Sequence, residues 1–102
     1  MTAPIYVVTL AEALPAHLKL VTDKLHELAD LSRMSEGCLR FDIYCDTDQP
    51  CRFNTIELWA TREDHQRHID SPLLFKTISS LFGKMAGMPQ VRVLSPISVL
   101  ED

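Results

Sequence analysis

The spacing of apolar residues along the chain switches repeatedly between the period of a strand and that of a helix. Ile5-Tyr6-Val7-Val8-Thr9-Leu10 is β-branched and aromatic, and too short for a helix, so it predicts a first strand. Pro15 suits a first helical turn, where its missing N–H is not needed. Leu18, Val21, Leu25, Leu28 and Leu31 then recur at steps of three and four, predicting one apolar stripe on a helix over about 15–34. His17, Lys19, Asp23, Lys24 and Asp30 fall off that stripe, so the helix covers something apolar and is polar outside. Glu36-Gly37 marks its end, glycine being the residue best suited to a left-handed cap.

Two alternating runs follow around Asp46-Thr47-Asp48-Gln49-Pro50, the pattern of a hairpin. In the first arm, about 38–46, Leu39, Phe41, Ile43 and Cys45 alternate with Arg40, Asp42, Tyr44 and Asp46. In the second, about 51–60, Ile56, Leu58 and Ala60 alternate with Phe53, Thr55, Glu57 and Trp59. Matching the two apolar rows predicts one greasy face, with Arg40, Asp42, Tyr44, Thr55, Glu57 and Trp59 together on the other; a slip of one residue would exchange the second arm's rows.

Thr61-Arg62-Glu63-Asp64 reads as an N-cap with an acidic first turn, opening a short helix over about 62–70. Ser71-Pro72 restarts it with a cap and a proline at the first position. Leu74, Phe75, Ile78, Leu81 and Phe82 form the expected stripe to about 84, and Gly83 and Gly87 break the pattern. Val91-Arg92-Val93-Leu94 predicts a last strand, which Pro96 ends or bulges before the apolar tail Ile97-Ser98-Val99-Leu100. The order β-α-β-β-α-β, with the second helical region broken, predicts a single α+β domain of the ferredoxin-like, split β-α-β type spanning residues 1–102. Helices cover one sheet face; the other needs a partner, so the pattern favours a homodimer with sheets packed face to face.

Composition narrows the function. With 102 residues the chain has room for one core, and a formal net charge of −4 disfavours sequence-independent nucleic-acid binding. Neither a signal-like N-terminus nor an apolar run of the roughly 18 residues needed to cross a bilayer is found, so no membrane partner is expected and a cytoplasmic location is. Cys38, Cys45 and Cys51 have no zinc-type spacing and read as free thiols; a Cys45–Cys51 bridge across the hairpin fits the geometry but not a reducing compartment. Nucleotide, flavin and haem signatures are absent, and no cofactor is expected.

The run Glu36-Gly37-Cys38-Leu39-Arg40-Phe41-Asp42, then Arg52-Phe53, Glu57-Leu58-Trp59, His68 shortly before Ser71-Pro72, and Phe75-Lys76, resembles the antibiotic-biosynthesis-monooxygenase superfamily over about 36–97. The resemblance implies a dimeric α/β barrel with a pocket between sheet and helices in each subunit. It also implies small-molecule chemistry of the kind seen in cofactor-independent oxygenases of aromatic polyketides, quinol oxygenases, haem-degrading enzymes and an enzyme of autoinducer breakdown. The family's strand aromatic falls on Trp59, its strand acid on Glu57 and its helix histidine on His68. Where the family often reads Ser-Pro-His-Phe, this chain has Ser71-Pro72-Leu73-Leu74-Phe75. The first strand lacks the asparagine of the haem-degrading branch, which disfavours haem degradation.

His68 is therefore the candidate proton carrier, against the plain alternative of a solvated helix residue. His65 stands three residues before it, a pair that invites a metal but lacks a third ligand at a telling spacing, so no metal is expected. Glu57 is either a catalytic base or the ion-pair partner of Arg40. Trp59 stacks on a planar substrate or fills core; Tyr6 and Tyr44 supply phenol hydroxyls or packing; Arg92 holds an anion or is surface charge. The first function expected is a cofactor-independent monooxygenase that uses molecular oxygen on a phenolic, quinol or polyketide-like molecule. The alternatives are an isomerase of a phosphorylated autoinducer-like molecule, with Arg40, Arg92 and Lys76 as candidate phosphate ligands, and a non-enzymatic dimeric binding module.

Overall fold

The strand-forming segments assemble into one antiparallel sheet in a computed structural model that describes residues 3–97. Strands β1 (Ile5–Glu12), β2 (Cys38–Cys45), β3 (Arg52–Trp59) and β4 (Gln90–Leu94) lie in the order β2-β3-β1-β4. Helices α1 (Leu18–Ser32), α2 (Arg62–Ile69) and α3 (Pro72–Ser80) complete a ferredoxin-like α+β fold, with a 3-10 turn at Pro15–His17 before α1. The chain order matches the expected β-α-β-β-α-β with a broken second helix. Of the expected apolar tail, Ile97 is exposed, and Ser98, Val99 and Leu100 lie outside the described residues.

The helical stripes are rotated from those expected. In α1 the buried positions are Val21, Leu28, Ala29 and Ser32, with Leu18 and Leu25 packed beside them, while Leu31 is exposed. An ideal helix brings residue 32, not 31, back under residue 28, because 3.6 residues make a turn. Along α3 and the turn after it, Leu73, Leu74, Thr77 and Leu81 face the interior, and Phe75, Ile78 and Phe82 point outward. That helix also stops at Ser80, and Gly83 follows with φ of 78°.

Sheet register brings the larger correction. Across β2 and β3, Phe41 stands opposite Glu57, Ile43 opposite Thr55 and Cys45 opposite Phe53; across β1 and β3, Ile5 pairs with Trp59, Val7 with Glu57 and Thr9 with Thr55. Thr55, Glu57 and Trp59 therefore share the helix-covered face with Phe41 and Ile43. Ile56 and Leu58 share the open face with Arg40, Asp42, Tyr44, Tyr6 and Val8. The expected grouping is one residue out of register in β3, and Leu39 leaves its expected row because a bulge between Cys38 and Arg40 exposes it. Two interior clusters result, one of Ile5, Val7, Leu28, Ala29, Phe41 and Trp59, the other of Ala13, Val21, Phe53 and Leu81.

Both expected caps form, and they fix where α2 sits. Thr61 Oγ1 accepts the Asp64 amide at 3.1 Å and Ser71 Oγ accepts the Leu74 amide at 3.2 Å. Gly37, with φ of 80°, lies beneath the Asp64 side chain, and its carbonyl accepts the Ala60 amide at 2.8 Å. A Cβ at Gly37 would overlap the Asp64 carboxylate, so this glycine is what lets the start of α2 approach the β2 entry.

Candidate functional site

Every second residue of β3 from Thr55 onward points under the helices, so Thr55, Glu57 and Trp59 form a row. Above that row, α2 lowers His65 and His68 from consecutive turns of one face, and both are buried. The His68 ring lies 4.7 Å from that of Trp59 at 33°, and 5.6 Å from that of Phe41. His65 is 6.0 Å from Trp59 and 6.5 Å from His68. Trp59 is 0% exposed, so the indole is an interior wall with imidazole rings on one side and Phe41 edge-on at 6.5 Å.

Glu57 is 4% exposed, yet both its oxygens are satisfied. Trp59 Nε1 donates to Oε1 at 2.9 Å and Thr55 Oγ1 donates to Oε2 at 2.8 Å. Burial pushes the Glu57 carboxyl up from its ordinary range, opposed by the Trp59 indole and the Thr55 and Thr9 hydroxyls. The effect reaches Cys38, whose thiol is raised first by its own burial and then by the Glu57 charge. His68 is pushed down to about 4 by burial, with a further contribution from His65, so it is neutral at pH 7. His65 is lowered by burial and by the Arg62 charge. Nδ1 of His68 is buried without a hydrogen-bond partner. A buried polar atom left unpaired costs about 1–3 kcal/mol.

The sequence-predicted site residues divide between the two faces. His68, Glu57 and Trp59 come together. Tyr6, Tyr44 and Arg40 lie on the opposite, open face, 42% and 49% exposed for the two tyrosines. The expected Arg40–Glu57 ion pair does not form, because the one-residue shift puts the two side chains on opposite sides of the sheet. Arg40 Nε instead donates to Asp42 Oδ2 at 2.6 Å and Nη2 to the Tyr44 hydroxyl at 3.4 Å. Arg92 pairs with Val8 and so faces the open side as well, and Lys76 is exposed on α3. Phe41 and Thr55, given no role in the sequence, are integral to the cluster; the signal available for Thr55 was its i, i+2, i+4 spacing with Glu57 and Trp59. Cys38, Cys45 and Cys51 are free, and the described residues hold no group of three potential metal ligands.

A cleft of about 280 Å³ opens beside the histidines, between α2 (Arg62, His65, Gln66, Ile69) and Ile5 and Val93 of the sheet. Of the aromatic cluster, His65 lines this cleft, and His68, Glu57 and Trp59 do not. A larger cleft of about 440 Å³, at the opposite end of the strands by Arg52, Phe53 and Met88, contains none of the candidate residues.

The family model for antibiotic biosynthesis monooxygenases matches residues 4–78, a stretch that contains all three members of the His68, Glu57 and Trp59 cluster. The chain belongs to the antibiotic biosynthesis monooxygenase family. Solved structures agree in fold. A protein from Nitrosomonas europaea, provisionally assigned to this family, superposes with a TM-score of 0.88 at 18% identity, over 95% of this chain and 93% of its own. A Pseudomonas aeruginosa protein gives 0.86 at 22% identity, over 94% and 96%. A Mycobacterium tuberculosis protein gives 0.85 at 20%, over 92% and 95%. No curated protein matches the sequence significantly. At these identities the shared feature is the fold, so the chemistry of this antibiotic biosynthesis monooxygenase relative has to be argued from its own residues.

Proposed function

We propose that the protein is a cofactor-independent monooxygenase of phenolic, quinol or polyketide-like small molecules, with His68 as the proton-handling group. The observation that carries this reading is the buried, neutral imidazole of His68, its Nδ1 unpartnered, against the Trp59 face. A phenol hydroxyl supplies the missing donor, and its ring has aromatic walls to pack against. Oxidation of a phenol to a quinone by O₂ balances without another reductant: one oxygen atom enters the ring, the other leaves as water, and the electrons come from the substrate. The protein then has to supply an acceptor for the phenol proton and a dry enclosure.

Magnitude constrains the step. A phenol near pKa 10 and an imidazole at about 4 are separated by a full transfer cost of about 8 kcal/mol. A turnover on the order of 10 s⁻¹ corresponds to a barrier of about 16 kcal/mol, so such a transfer fits within it, more easily for an acidic polyphenol or when coupled to electron transfer to O₂. Glu57, with both oxygens already accepting hydrogen bonds, serves this site by holding Trp59 rather than as a second base. Tyr6, Tyr44 and Arg40 bear on function through the open sheet face, where a second copy of the chain packs to form the homodimer.

Oxygen uptake by purified protein against hydroquinones and polycyclic phenols tests the reading. His68→Ala should lower kcat by about 10²–10⁴, the usual contribution of a general base, and Trp59→Phe should lower it less. Absence of uptake with every substrate, or a His68→Ala enzyme as fast as its parent, would remove the proposal.

A further inference from the structure

Thr55 occupies the far end of an ordered hydrogen-bond chain that ends on the proposed site. The Thr9 amide donates to Thr55 Oγ1 at 3.1 Å, which uses the hydroxyl as an acceptor and leaves its single proton for Glu57 Oε2 at 2.8 Å. Glu57 Oε1 in turn accepts the Trp59 indole N–H at 2.9 Å. The indole plane so fixed is the wall against which the His68 ring lies at 4.7 Å. Each link is short, and the links nearest the indole are buried, where water does not compete for them. We propose that Thr55 is a positioning residue of the His68 site, its hydroxyl setting the Glu57 carboxylate and, through it, the orientation of Trp59.

This rests on His68 as the proton-handling group but makes a distinct demand. A threonine kept for strand propensity alone would be replaceable by valine, which is β-branched and nearly isosteric but has no hydroxyl. In Thr55→Val the carboxylate loses the 2.8 Å hydrogen bond to Oε2 and keeps the Thr9 hydroxyl as its one hydroxyl neighbour, so it shifts and loosens its hold on the indole. In Thr55→Ser the hydroxyl remains. Neither variant changes a group that touches the substrate.

The chain has a single tryptophan, so intrinsic fluorescence reports Trp59 alone. The experiment compares the emission maximum of Trp59, the NMR titration of His68 and steady-state kinetics in the parent, Thr55→Val and Thr55→Ser, with circular dichroism establishing that each is folded. Thr55→Val should shift the emission, move the His68 titration upward, and lower kcat about tenfold with KM within twofold; Thr55→Ser should restore all three. A folded Thr55→Val with parental emission and His68 titration would overturn the proposal, as would changed spectra with unchanged kcat in an active parent. A parent that oxidises nothing in the panel fails the proposed function instead, and the spectra of the two variants still decide whether Thr55 positions Trp59 against His68.

Discussion

His68 joins an imidazole of ordinary chemistry to an unusually dry setting, and that combination should be visible in the pH dependence of stability. Its folded pKa, about 4, lies below the ordinary histidine value of 6.5, so the folded state binds the proton more weakly than the unfolded chain. Stability from the neutral ring is complete above pH 6.5 and is lost as pH falls from there through 4. His65 is lowered too and acts in the same direction, whereas Glu57, raised by burial, acts oppositely because acid relieves its buried charge. Comparison with a His68→Phe variant isolates the one group. The parent should lose on the order of 2 kcal/mol more than the variant between pH 7 and 4.5, a figure below the full linkage value to allow for residual solvation. Urea unfolding at the two pH values measures it, and parallel losses in the two proteins would mean that His68 is solvated.

At the scale of elements, alternation exposed the strands but misassigned their faces. By pattern, Thr55-x-Glu57-x-Trp59 groups with Arg40, Asp42 and Tyr44 because two of its members are polar, and Ile56-x-Leu58 groups with the apolar row of β2. The polar row is nevertheless inside, since Thr55, Glu57 and Trp59 satisfy one another's donors and acceptors and so remove most of the desolvation cost that normally keeps a carboxylate out. Mutual satisfaction is a property of three side chains in space, which period-two reading cannot weigh. Caps were more legible, because Thr61 and Ser71 act within four residues of their own helices. His68 and Trp59 were legible through the family resemblance, while His65 and Phe41 became site residues only once α2 was placed over the sheet. That placement turns on Gly37. Gly37→Ala should destabilise the fold by about 2–4 kcal/mol, combining a left-handed backbone with displacement of Asp64 from beneath the α2 start. Denaturant unfolding provides the value. A loss under about 0.5 kcal/mol would show that α2 tolerates a wider approach.

At the scale of the whole molecule, the helices among the described residues cover one side of the sheet, and the uncovered side carries the apolar side chains that the proposed homodimer would bury. Tyr6, Leu10, Tyr44 and Leu94 are exposed there, with Val8, Ile56 and Leu58 half-buried between them, and the charges Arg40 and Asp42 already neutralise each other. Three eight-residue strands and the five-residue β4, spaced about 4.8 Å apart, cover about 450 Å² in projection. Side-chain relief raises the accessible area toward the roughly 800 Å² that each partner contributes to a standard interface. Leu58, with Tyr6 and Arg40 as cross-strand neighbours, sits well inside this face. Leu58→Lys should leave the fold intact, because an open sheet face tolerates a solvated lysine, but should oppose like charges across a two-fold interface. Sedimentation at micromolar concentration should then give twice the 11.6 kDa chain mass for the parent and the single mass for the variant. A monomeric parent would mean that the open face serves some other partner. A dimeric Leu58→Lys would put the contact elsewhere, with the exposed Phe75 and Ile78 of α3 and Phe82 just beyond it as the next apolar surface to test.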